Sequence, residues 1–80
     1  NIFPNPVVDN TVTLDLEFPD FQEYQLDVFD ITGRQMYSET LIPGQLLTRM
    51  NIDISKWSAG VYLFSFRSAD KKATYKLVVQ

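Results

Sequence analysis

The side chains of this sequence best suited to proton transfer or to holding a metal ion are carboxylates. There are ten Asp and Glu among 80 residues, and no His or Cys. Without His or Cys no Ser-His or Cys-His nucleophile can assemble, and the commonest zinc ligands are missing. Asp15, Glu17, Asp27 and Asp30 are therefore the acids to weigh, as a general acid and base or as calcium ligands. Parity speaks against both roles. Asp15 and Glu17 alternate with Leu14, Leu16 and Phe18, and Asp27 falls between Leu26 and Val28, so each takes the solvent position of a half-buried strand. No stretch has the spacing of a calcium hand, although a loop site using Asp9, Asp20 or Asp30 stays open on sequence grounds. The expectation is a protein with no enzymatic activity, no cofactor and no small-molecule substrate.

Three other short patterns stand out, and each has a plain structural explanation. Asp30-Ile31-Thr32-Gly33-Arg34 lacks the glycines of a phosphate cradle and precedes no helical pattern. It reads as a hairpin turn in which Asp30 accepts hydrogen bonds from turn N–H groups and Gly33 supplies a positive φ. Pro4-Asn5-Pro6 holds the backbone extended on both sides of Asn5 and removes two N–H donors. Gly60-Val61-Tyr62 reads as a loop passing into a strand, with Tyr62 anchored in the core.

The elements that must carry these residues have a period of two. Val12, Leu14, Leu16 and Phe18 alternate with polar residues, as do Leu26 and Val28, and Met50, Ile52 and Ile54. Further strands are expected at about 35–40, 62–68 and 73–79, and a short one at Ile2-Phe3 brings the number to six or seven. Turn-forming residues at Pro19-Asp20, Pro43-Gly44, Ser58-Ala59-Gly60 and Ala69-Asp70 separate them. Such spacing favours an antiparallel sandwich over a βαβ arrangement. The stretch 55–58 could instead form one helical turn capped by Ser55. The expected core is Val12, Leu14, Leu16, Leu26, Val28, Ile52, Ile54, Tyr62, Phe64, Phe66, Tyr75 and Leu77, which places Val61, Leu63, Lys76 and Val78 on the opposite face of the last hairpin.

Length and composition set the outer limits. Eighty residues make room for one domain, spanning 1–80, and a hydrophobic content of 45% with six Phe, four Tyr and one Trp suffices for a core. A net charge of −3 with scattered Lys and Arg offers no basic stripe, so nucleic acid is not an expected partner. The longest apolar runs, such as 61–64, fall far short of the roughly 20 residues that span a bilayer. No charged segment followed by an apolar one marks an export signal near Asn1, so export would depend on a larger protein.

Taken in order, Phe3-Pro4-Asn5-Pro6, Asp30-x-x-Gly33-Arg34, Ala59-Gly60-Val61-Tyr62 and Lys76-Leu77-Val78-Val79 resemble the type A C-terminal sorting domain of the type IX (Por) secretion system over essentially all 80 residues. The resemblance implies an immunoglobulin-like β-sandwich of about seven strands at the C-terminal end of a secreted cargo. It implies partners as well: the covalently attached cargo, an outer-membrane translocon that recognises the domain, and a surface sortase that removes it. It implies passage through the periplasm to the cell surface or medium. The family motifs fall on Pro4, Asn5, Pro6, Gly33, Gly60, Tyr62 and Lys76, and Val78 joins them on the outer face of the last hairpin, where recognition is expected. Trp57 departs from the Leu that many members place before the Gly-x-Tyr segment. The competing reading is a small carbohydrate-binding or adhesion module of the same fold, with Trp57 and Tyr37 as stacking residues.

Overall fold

The computed structural model describes residues 2–3, 10–17, 22–42 and 47–80. They form a short strand β1 (Ile2–Phe3) and six strands of seven or eight residues: β2 (Thr11–Glu17), β3 (Tyr24–Asp30), β4 (Gln35–Leu41), β5 (Leu47–Asp53), β6 (Gly60–Arg67) and β7 (Lys72–Val79). All pairings are antiparallel. One sheet has the order β1-β2-β5 and the other β4-β3-β6-β7, so the chain changes sheets after β2, β4 and β5. Those crossings make the expected immunoglobulin-like sandwich.

Alternation builds the core. Val12 pairs with Ile52 and Leu14 with Met50 across β2 and β5, while Leu26 pairs with Phe66 and Val28 with Phe64 across β3 and β6. The two inward faces meet through Val12, Leu14, Ile52, Leu26, Val28, Phe64 and Leu77, all buried. Two expected core residues differ. Leu16 is half-buried at the rim, and Tyr75 is 49% exposed. Tyr75 does face inward opposite Phe64, but β7 comes last in its sheet's order and the facing sheet is one strand narrower, so the ring leans edge-on against Phe66 at 5.9 Å without full cover. Leu41 and Val79, which the alternation did not single out, are buried in the same cluster.

The stretch 55–58 is a turn and not a helix. The N–H of Trp57 donates to the carbonyl of Ile54 at 2.9 Å, and the cap is Asp53, whose Oδ1 accepts from the N–H of Ser55 at 2.9 Å. The turn folds Trp57 back over the sandwich, half-buried, with its ring 4.9 Å from Tyr62 and 6.4 Å from Phe64.

Candidate functional site

Three of the sequence patterns meet at one end of the four-stranded sheet. Asp30, which opens the β3–β4 turn, lies opposite Tyr62; Tyr62 lies opposite Leu77; and Gly60 and Val61 lie opposite Val79 and Val78. Gly33, Gly60, Tyr62 and Val78 thus gather there, and Lys76 stands two residues further along β7 opposite Leu63. Pro4, Asn5 and Pro6 lie outside the described residues, as do Asp9 and Asp20.

The β3–β4 turn is organised by one carboxylate. Asp30 Oδ1 accepts from the N–H of Thr32 and of Arg34, each at 2.9 Å, and from the Thr32 hydroxyl at 2.6 Å, while Arg34 Nε approaches Oδ2 at 3.2 Å. Gly33 takes a φ of 90°, a conformation costly to any residue with a Cβ. A bulge places Met36 as an extra residue opposite the step from Val28 to Phe29. The Thr32 hydroxyl and the Thr32 and Arg34 N–H bonds hold the Asp30 carboxyl below its ordinary 3.8 against a smaller opposing effect of burial, so this acid is occupied in shaping the turn.

Tyr62 holds the opposite side of this end. Its ring is buried, and its hydroxyl donates to the Ser58 carbonyl at 2.5 Å, which ties the start of β6 to the loop before it. This is the tyrosine corner of sandwich domains. Gly60, at φ 151°, makes the intervening backbone path possible. Tyr62→Phe is expected to lose this bond and leave the Ser58 carbonyl to solvent, lowering stability by about 1 kcal/mol in chemical denaturation with the fold unchanged. Equal stability of the two proteins would contradict the assignment.

Asp27 is not the solvated acid that its position in the alternation predicts. It has the solvent-side parity expected of it, yet it is only 7% exposed. Ser38 Oγ donates to its Oδ1 at 2.9 Å, Gln25 Nε2 to the same oxygen at 3.3 Å, and Arg67 NH2 to Oδ2 at 3.3 Å; Thr40 Oγ1 in turn donates to Gln25 Oε1 at 2.8 Å. Gln25 is two residues away on β3, but Ser38 comes from β4 and Arg67 from β6, so local alternation could not reveal the enclosure. Burial alone pushes the Asp27 carboxyl up, but the bonds from Ser38, Gln25 and Arg67 together outweigh it and hold the pKa below 3.8. A carboxyl lowered on folding stabilises the fold above its unfolded pKa, and that stabilisation disappears as pH falls through the folded pKa. Asp27→Asn should therefore be clearly less stable than the parent at pH 7, with the gap closing below about pH 4. A gap independent of pH in denaturant titrations would show that the charge plays no part.

The other two acids weighed above, Asp15 and Glu17, stand apart from this end of the molecule on β2. Asp15 receives Arg49 through two bonds of 2.6 and 3.0 Å on the outer face of the other sheet, and Glu17 is exposed. Among the described residues no group of three or more acidic side chains lies close enough to hold a metal ion. The aromatic residues weighed for stacking are engaged elsewhere. Trp57 packs on Tyr62, and the Tyr37 hydroxyl donates to Glu39, burial and this carboxylate raising its pKa to about 12. An open groove beside β4 and β5 is lined, among the described residues, by aliphatic and polar side chains including Leu16, Leu41, Thr48 and Met50.

What these features define is a small antiparallel sandwich in which Gly33, Gly60 and Tyr62 build a turn and a corner. The chain belongs to the family of secretion system C-terminal sorting domains, the family model matching residues 1–80. The sequence resemblance to type IX sorting domains is thereby met over the whole chain. The family is one of sorting signals and not of enzymes, and it places the protein among those secreted or carried to the cell surface. No curated protein matches the chain significantly.

Proposed function

We propose that residues 1–80 act as a single address label for a cargo joined covalently at their N-terminal side. In this reading the outer-membrane type IX translocon recognises the folded domain once the cargo has reached the periplasm, and a surface sortase then removes it. The family match across all 80 residues is the observation that supports this reading. In this proposal the motif residues do two kinds of work: Gly33, Gly60 and Tyr62 act by shaping the sandwich end, whereas Lys76 and Val78 on β7, with Pro4, Asn5 and Pro6 at the lead-in, are assigned to recognition. Deleting residues 1–80 from the full-length protein should leave the rest folded but held in the periplasm. Appearance of the truncated protein outside the cell at the parental level would refute the proposal.

A further inference from the structure

The outer face of the four-stranded sheet is divided in its chemistry. In the half nearer the Asp30–Arg34 turn, Phe29 lies opposite Leu63, Leu63 opposite Lys76, and Val61 opposite Val78. Leu63 is 40% exposed, and Phe29, Val61 and Val78 are half-buried in a shallow apolar strip. In the other half Arg67 lies directly opposite Lys72. Like charges in that position destabilise a strand pair, and although Asp27 stands 3.3 Å from Arg67 it leaves the hairpin strongly positive. Residues 60–80 carry four Lys and Arg against one Asp, net +3, whereas residues 1–59 carry three against nine, net −6. Lys72 and Lys76 stand on the same face of β7, four residues and thus roughly 13 Å apart.

We propose that this face docks an acidic protein surface with an apolar centre: Leu63, Val61 and Val78 meet the centre, and Lys72 and Lys76 meet carboxylates beside it. The inference rests on the sorting function proposed above and gives the chemistry of the partner. Charge complementarity carries it, because a hairpin of net +3 in a protein of net −3 is steered toward an anionic partner in one orientation. A protein surface fits better than an anionic membrane. Only Leu63 in the strip is exposed, Phe29, Val61 and Val78 being half-buried, so little apolar surface is offered to hydrocarbon, and the carboxylate of Asp27 lies on the same face.

The test uses the full-length secreted protein in its own host, with a photo-crosslinking residue at position 63 and, as a control, at exposed position 51 on the other sheet. Crosslinks from position 63 should join a peptide rich in Asp and Glu, and those from position 51 should not. The double variant Lys72→Glu, Lys76→Glu should reduce both that crosslink and export by about tenfold or more, while Lys72→Arg, Lys76→Arg retains them. Loss of folding does not account for such a result, since Glu at position 72 faces Arg67 and forms an opposite-charge pair, and the thermal midpoint of each variant checks the point. Crosslinks to lipid or to a neutral or basic peptide would overturn the proposal, as would normal export of the charge-reversed protein. Either leaves the sorting function intact. Failure of the parental protein to leave the cell would instead refute the sorting function and this docking face with it.

Discussion

Phe64→Ala is expected to lower stability by about 3 to 5 kcal/mol, enough to unfold much of the domain at ordinary growth temperatures. Phe64 is fully buried in the central part of β6, opposite Val28 on one side and Tyr75 on the other, with Trp57 lying across it at 6.4 Å between ring centroids. Removing the ring leaves a cavity that the sheets cannot close, because β6 is hydrogen-bonded to a strand on each side and cannot shift without breaking both ladders. The loss falls on a protein with little to spare. An 80-residue sandwich buries roughly 60 to 65% of its unfolded surface, so its total stability lies toward the lower end of the usual range of about 5 to 15 kcal/mol. Chemical denaturation of parent and variant measures the effect, and Tyr75→Ala gives the contrast. With half its surface exposed, Tyr75 should cost much less, and similar losses at the two positions would show that the inward face of the last hairpin is wrongly drawn.

Most of this fold was legible because two-residue periodicity is a local signal. Val12, Leu14, Leu26, Val28 and Ile52 announce their burial through the polar residues between them. Asp30 and Gly33 were equally readable, since a turn is satisfied within four or five residues. What alternation could not convey was position across the sheet. Tyr75 has the parity of a core residue but stands on the last strand in the order, and Asp27 has the parity of a solvent residue but is enclosed by Ser38 and Arg67, 11 and 40 residues away. The tyrosine corner was half visible: the core position of Tyr62 followed from its spacing, whereas its bond to the Ser58 carbonyl depends on the loop's path. The candidate site was less legible than the fold. A reactive centre betrays itself by residue type, but a docking face is made from ordinary side chains whose meaning comes from pairing, as when Leu63 meets Lys76 and Arg67 meets Lys72.

If these 80 residues suffice as an address, a fusion shows it more plainly than any point variant. A label requires no chemistry of its own, so it should act on a protein unrelated to its natural cargo. The expected effect is close to all or none, because a folded reporter in the periplasm has no other route across the outer membrane. Residues 1–80 fused behind a fluorescent protein carrying a periplasmic export signal, in a host with type IX machinery, should bring most of the fluorescence to the cell surface or medium. The same fusion in a strain lacking the translocon should remain inside. Retention of the intact, folded fusion in the periplasm of the competent host, at the level seen without the translocon, would show that the domain is not a sufficient address.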